Sequence, residues 1–107
     1  MPLEIAFIPV NGAHADRFAQ AATVALTDIF PQAPGFIRGE CRRGVERPDT
    51  FVLLLEWERL EDHTEGFVKS ELFIRWVELT DGLIAGAPVV EHWESTSGRG
   101  SAEKALA

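Results

Sequence analysis

The sequence contains a single cysteine, Cys41, so it cannot form an internal disulfide framework. It also lacks any uninterrupted apolar stretch of about 18 residues, the length that a membrane-spanning helix requires. Its first residues carry no basic segment of the kind that opens a secretory signal peptide. We therefore expect a cytoplasmic protein that does not associate with a membrane.

Sequence motifs for common cofactors are absent as well. There is no GxGxxG turn for a dinucleotide, no GxxxxGK[ST] loop for a nucleotide phosphate, and no HxxxH or HExxH spacing for a metal ion. The formal net charge of −7 disfavours nucleic acid, because phosphates bind to positive surfaces. The sequence thus predicts no nucleotide cofactor, no metal site and no nucleic-acid partner.

The apolar content is sufficient for one small domain. The chain has 107 residues, of which 46% are hydrophobic, and a chain of this size can bury one modest core. We place the domain at residues 1–95. Residues 96–107 are rich in serine and glycine at their start, and we predict a mobile tail or one that lies on a neighbouring chain.

Hydrophobic periodicity predicts four strands and two helices. The strands are expected at residues 3–10, 36–45, 51–57 and 89–93. The first helix follows Asn11 and stops before Pro31, and the second covers residues 60–83 with an interruption near Lys69 and a new N-cap at Ser70. The order βαββαβ predicts an α+β, ferredoxin-like fold, with an antiparallel sheet that carries both helices on one face.

The third predicted strand is apolar on both of its faces. Phe51, Leu53 and Leu55 point to one side, whereas Val52 and Leu54 point to the other. A strand in a half-solvated sheet would alternate apolar with polar residues. A second copy of the chain, packed sheet to sheet, would cover the face away from the helices, so we predict a homodimer through this face. A central position of this strand within its own sheet is the alternative explanation.

Residues able to carry chemistry follow the third strand. Trp57 is either a pocket wall that donates a hydrogen bond to an aromatic ligand, or a core residue whose N–H meets a carbonyl. His63 is a candidate general base, with a structural or exposed role as the alternative. Its neighbours Glu61, Asp62 and Glu65 should favour its protonated form and place its pKa above the usual value of about 6.5.

Three further residues complete the predicted site. Phe67 lies one helical turn beyond His63, and Trp76 lies on the apolar face of the second helix. His92 is on the fourth strand, on the face opposite to both of its neighbours. We assign Phe67, Trp76 and His92 as candidate contacts for a hydrophobic aromatic small molecule.

Three segments resemble the antibiotic biosynthesis monooxygenase (ABM) family. They are Pro34-Gly35-Phe36, the run Trp57-x5-His63-Thr64-x-Gly66-Phe67-x-x-Ser70-x-x-Phe73, and Pro88-x-Val90-x-His92. The resemblance covers residues 3–94 and implies a dimeric α+β barrel. The activities it implies are oxygenation of phenolic polyketides without a cofactor, quinol oxidation and haem degradation. The family also includes many members without a known activity.

The sequence departs from two active branches of that family. Haem degradation is not expected, because Phe67 and Val77 stand where that branch has a tryptophan and a histidine, and residues 3–10 include no asparagine. The phenol-oxidising branch pairs a tryptophan, matched by Trp57, with an asparagine and a tyrosine. Leu53 stands at the asparagine position and His63 near the tyrosine position, and the chain has no tyrosine at all.

Two functions therefore stay open. The first is a cofactor-independent monooxygenase acting on an aromatic, phenolic or quinol molecule, with His63 and Trp57 as catalytic residues. The alternative is a non-catalytic domain of the same fold that binds a small molecule or only associates. Either function predicts a pocket between the second helix and the sheet, lined by Trp57, His63 and Phe67.

Overall fold

The computed structural model describes residues 1–102 and has the predicted ferredoxin-like arrangement. Four strands form one antiparallel sheet in the order β2-β3-β1-β4. One α-helix connects the first strand to the second, and another connects the third strand to the fourth. Within residues 1–102, no helix is both long and apolar enough to cross a lipid bilayer. The elements are β1 (Leu3–Pro9), α1 (Ala15–Asp28), β2 (Phe36–Arg43), β3 (Thr50–Trp57), α2 (Glu71–Leu79) and β4 (Val89–Trp93).

Helix α1 covers one part of the sheet in the way its sequence predicts. The side chain of Asn11 accepts a hydrogen bond from the N–H of Ala13 at 3.2 Å, which caps the short 3₁₀ turn leading into the helix. The apolar residues recur on one face of α1, and this face is buried against the sheet. Its buried members are Ala15, Phe18, Ala21, Ala22 and Ala25.

Strands β1 and β3 lie side by side in the middle of the sheet and alternate strictly between two faces. The face toward the helices is fully buried and forms the core with α1. The opposite face, which we call the open face, carries half-exposed apolar side chains, including Ile5, Phe7, Val52 and Leu54. The predicted division of β3 into two apolar faces is thus confirmed.

The second helical region is divided, as expected for residues 60–83, but its two parts differ from regular α-helix in type and length. A π-helical turn, Asp62–Phe67, comes first, and α2 begins only at Glu71, so the interruption near Lys69 is confirmed. Ser70 occupies the N-cap position, but its hydroxyl donates to the carbonyl of Phe67 at 2.7 Å and does not cap α2. Helix α2 ends four residues earlier than expected, and Gly82 then takes a left-handed conformation, with φ of 79°, that reverses the chain.

The C-terminal segment lies partly outside the described residues. Arg99 reaches Glu56 on the open face, with 3.7 Å between Nη2 and Oε2. Residues 103–107 of the predicted tail are outside the part of the chain that the structure describes. The mobility of residues 96–107 stays a prediction.

Candidate functional site

A cavity of about 550 Å³ lies between α2 and the inward face of the sheet, where the sequence predicts a pocket. Its walls are mostly apolar and aromatic, as in sites that bind flat organic molecules. The aromatic walls come from Phe30, Phe67, Phe73 and Trp76, and the sheet contributes Ala6, Ile8, Leu53, Leu55 and Val90. The polar groups at its lining include Glu4, His63 and Thr80.

Glu4 is a buried carboxyl group in the wall of this cavity. Alternation along β1 places its side chain on the inward face with Ala6 and Ile8, and only 5% of it is exposed. The indole N–H of Trp57 donates to Glu4 Oε1 at 3.0 Å. The Nε2 atom of His63 lies 3.3 Å from the same oxygen. Both of these contacts are made by Oε1, and Glu4 is also one of the residues that line the cavity.

The π-turn, as we call Asp62–Phe67, brings His63 to Glu4. The N–H of Val68 donates to the carbonyl of His63 at 3.1 Å, a bond across five residues that widens the turn. The imidazole of His63 stacks on the indole of Trp57, with ring centroids 5.6 Å apart and 29° between planes. Phe67, four residues later, also packs against Trp57 and lines the cavity. The π-turn therefore presents two side chains to the end of the cavity.

His92 extends this cluster toward the surface. It lies opposite Glu4 in the pairing of β4 with β1, and its Nε2 is 2.9 Å from Nδ1 of His63. His92 is exposed and lines a separate surface cleft of about 370 Å³, together with Glu58, Arg59 and Glu94. The result is a continuous row of polar contacts from the cavity wall to solvent.

Burial sets the charge state of the two inner groups. It raises the pKa of Glu4 to about 7, although the hydrogen bond from Trp57 acts in the opposite direction. Burial and, as the smaller cause, the nearby charge of His92 lower the pKa of His63 to about 4. The expected rise in the pKa of His63 is therefore wrong: its side chain turns inward and is desolvated, and the acids around it in sequence are not among the causes of its shift.

The structure brings most of the predicted site residues together, but in different roles. His63, Phe67 and Trp76 line the cavity. The expected place of Trp57 in the pocket wall needs correction, because its side chain is completely buried and lies behind the residues that line the cavity. It contacts three of these lining residues, Glu4, His63 and Phe67. His92 also lies outside the cavity and contacts His63 from the surface side.

Sequence reasoning missed Glu4. Strand β1 is mostly apolar, and Glu4 is its one acidic residue. Glu4 lies two and four positions before Ala6 and Ile8, so strict alternation along the strand places its carboxyl group on the same core-facing side as these two residues. A charged residue on such a face is rare without a partner, which is the signal that could have identified it.

No group of three or more histidine, cysteine, aspartate or glutamate side chains within residues 1–102 is arranged to hold a metal ion. Instead, Glu4 contacts His63 directly, and His63 contacts His92 directly. The chemical capacity of this cluster is to accept, hold and move a proton next to an apolar cavity.

Known proteins resemble this chain in sequence and in fold. The family model described as antibiotic biosynthesis monooxygenase matches residues 1–79. The uncharacterized protein YczJ of Bacillus subtilis (strain 168) is 37% identical over 79 residues, which make up 74% of this chain and 78% of that protein.

Solved structures give the same result for the fold. A protein from Bordetella bronchiseptica, provisionally named an antibiotic biosynthesis monooxygenase, superimposes with a TM-score of 0.83 at 26% identity, over 90% of this chain and 97% of its own. A protein from Deinococcus radiodurans, named in the same way, has a TM-score of 0.76 at 14% identity and covers 94% of this chain and 98% of its own. The second likeness shows the fold alone.

Proposed function

Because the chain belongs to the antibiotic biosynthesis monooxygenase family, we propose that it oxygenates a flat phenol, quinol or related aromatic molecule without a cofactor. One observation carries the proposal: Glu4 places an ionisable carboxyl group, with a pKa of about 7, in the wall of a mostly apolar cavity. A general base works best when its pKa is close to the working pH. The volume of about 550 Å³ suits a small polycyclic molecule.

Glu4 takes the first proton in the reaction we propose. Its Oε2 atom removes a proton from a phenol or from an acidic CH₂ group, and the resulting anion is rich enough in electrons to reduce O₂. The carbon then bonds to one oxygen atom, the O–O bond breaks, and a second hydrogen leaves the substrate. The substrate loses two hydrogens and gains one oxygen, and water is the second product, so no external reductant is consumed.

His63 supports this base and is not the base itself. Both of its ring nitrogens face protein partners, Glu4 at Nε2 and His92 at Nδ1. A proton from the substrate can therefore reach Glu4 more directly than it can reach His63. Trp57 positions the carboxylate through its hydrogen bond and is a positioning residue. Phe67 and Trp76 supply apolar contacts for the substrate.

The active assembly in this proposal is a cytoplasmic homodimer. The open face exposes apolar side chains that a second copy would bury, among them Val89 and Trp93, each 57% exposed. Burial of such a face stabilises an assembly by the hydrophobic effect. The pairing would leave the cavity, which lies on the opposite side of the sheet, free for a ligand.

A binding role without chemistry is the second candidate. Leu53, an apolar residue, lines the cavity. The phenol-oxidising branch of the family carries an asparagine there, so this chain lacks a polar group at the reacting position. A protein that only holds a hydrophobic molecule would need no such group.

Oxygen uptake separates the two roles. Wild type is supplied with a panel of anthrones and hydroquinones, and we expect uptake of one O₂ for each molecule oxidised. Glu4→Gln should bind the same compounds and slow turnover by about 10²–10⁴-fold, the usual contribution of a general base. Glu46→Gln, at an exposed carboxyl in the β2–β3 turn, is the matched control. Tight binding without any uptake would favour the binding role.

A further inference from the structure

Three side chains connect the wall of the cavity to the surface cleft. The carboxyl of Glu4 is 5% exposed and His63 is 8% exposed, whereas His92 is open to solvent. The links are 3.3 Å from Glu4 Oε1 to His63 Nε2 and 2.9 Å from His63 Nδ1 to His92 Nε2. Each imidazole nitrogen can donate or accept, depending on the tautomer. The row therefore has the geometry of a proton path.

We propose that His63 and His92 relay protons between Glu4 and the surface cleft. This inference rests on the proposed function for the source of the proton, and it assigns a task to two residues that act behind the reacting atoms. His92 is thereby a relay residue and not the substrate contact expected from its sequence position.

The outward transfer takes three coordinated steps. Once a half-turn of the carboxyl group has brought its protonated oxygen to the position of Oε1, beside His63, Glu4 gives this proton to the lone pair of His63 Nε2 and becomes a carboxylate. His63 passes the proton on its Nδ1 to Nε2 of His92, and His92 releases the proton on its own Nδ1 to water in the cleft. One O–H bond and two N–H bonds break, two N–H bonds form on the rings, and water takes the last proton.

The return transfer resets the two rings. The overall oxygenation neither releases nor consumes a proton, because its second product is water. A proton that leaves while the substrate anion forms must come back when the departing oxygen is protonated. Running the same three steps inward restores the starting tautomers of His63 and His92.

Other routes from Glu4 to solvent are poor when a ligand fills the cavity. The indole of Trp57 has only a donor, so it cannot accept a proton from Glu4. The other residues that line the cavity are mostly apolar, including Ala6 and Leu55. Among the described residues, His63 is thus the polar neighbour through which a proton can pass from Glu4 toward the surface.

The cleft suits the outer end of such a path. Glu58, Arg59 and Glu94 line it beside His92. Carboxylates near an exposed imidazole can accept its proton or hold ordered water. The opening is therefore polar, in contrast to the apolar cavity on the other side of His63.

The first test measures proton exchange at Glu4 in the absence of any substrate. In protein labelled with ¹³C-glutamate, relaxation dispersion of the Glu4 carboxyl near its midpoint, about pH 7, measures its rate of proton exchange. Glu4→Gln identifies the signal. We expect His92→Ala to slow this exchange by about tenfold or more and added imidazole to restore it, as for a missing acid–base group. The control His14→Ala, at the third histidine, should leave it unchanged. Equal exchange in wild type and His92→Ala would overturn the relay.

The second test measures turnover with an oxidised substrate in dilute buffer. His92→Ala should lower kcat by about 10–100-fold with little change in KM, and imidazole should restore kcat. If His92 has a purely structural role, imidazole will not restore kcat of His92→Ala. That result would overturn the relay, whereas oxygen uptake by wild type would still support the proposed enzymatic function. If wild type takes up no oxygen but His92→Ala slows the exchange at Glu4, the proposed function fails and the relay stands.

Discussion

The indole N–H of Trp57 donates a hydrogen bond of 3.0 Å to the carboxyl group of Glu4, a residue that lies 53 positions earlier in the chain. This bond joins the end of β3 to the start of β1, and it leaves His63 3.3 Å from the same carboxyl oxygen. Burial of the group raises its pKa to about 7 even though the bond favours the charged form. The chain thus holds an acid close to half-protonated at neutral pH inside its core.

The pH dependence of stability should show this buried acid. Folded Glu4 keeps its proton up to about pH 7, whereas the unfolded group loses it near pH 4.5, so raising the pH through this window should destabilise the wild type. The difference of roughly 2.5 pH units corresponds to about 3 kcal/mol. The free energy of unfolding of Glu4→Gln, relative to wild type, should therefore rise by about that amount across the window.

Urea denaturation at several pH values measures this difference. Glu46→Gln, at an exposed carboxyl, should follow the wild type. The lowered pKa of His63 works in the opposite direction, because its contribution is lost as pH falls from about 6.5 to 4, but it is present in both proteins and largely cancels. A constant difference between Glu4→Gln and wild type would mean that Glu4 is solvated.

The pH dependence of turnover should follow Glu4 and not His63. If Glu4 is the base, kcat/KM for a phenolic substrate should rise with pH to a plateau, with a midpoint of about 7, because only the carboxylate accepts a proton. A base at His63 would instead place the midpoint near 4. Steady-state oxygen uptake across this range decides between them, and Glu4→Gln should flatten the profile.

Disruption of the open face should break the homodimer. Leu54 lies on this face, in the strand beside β1, and Leu54→Asp would put an unpaired charge into the proposed interface. Such a charge costs about 3–5 kcal/mol, so the variant should dissociate or unfold. Light scattering should give twice the 11.8 kDa monomer mass for wild type and for Val45→Asp, at a residue 87% exposed. A monomeric wild type at micromolar concentration would contradict the interface.

The aromatic residues of α2 should contribute less to stability than those of the core. Phe73 and Trp76 pack against the core but are only partly buried, because they face the cavity. Phe73→Ala should therefore cost clearly less than the roughly 3–5 kcal/mol expected for Phe18→Ala, where the side chain is completely buried. Denaturant unfolding of both variants gives the comparison. If Phe73→Ala and Phe18→Ala lost equal amounts of unfolding free energy, the cavity would have to be closed in solution.

Period-two and helical patterns were enough to predict the sheet, its two faces and the packing of α1. Phe51, Leu53 and Leu55 could be assigned to the inward face because successive side chains on a strand point to opposite sides. The fourth strand was predicted with its observed ends, Val89–Trp93. These features depend on local sequence alone.

The charge state of the site could not be predicted in the same way. The pKa of His63 depends on burial and on His92, which is 29 residues away in sequence. The sequence neighbours of His63 suggested the opposite shift, because the inward turn of its side chain depends on the π-turn. Such a turn has no reliable sequence pattern, and the prediction for residues 60–83 placed only an interruption near Lys69 there.

The π-turn also bears on how this site could arise or disappear during evolution. A π-helical turn is an α-helix that accommodates one additional residue, so a single-residue deletion within Asp62–Phe67 could return the segment to regular α-helix. Removing one residue rotates everything on one side of the deletion by about 100° relative to the other, a consequence of 3.6 residues per turn. His63 and Phe67 could then no longer both face the cavity. A relative with one residue fewer here should therefore keep the sheet and lose the histidine contact to Glu4, and with it the proposed proton path.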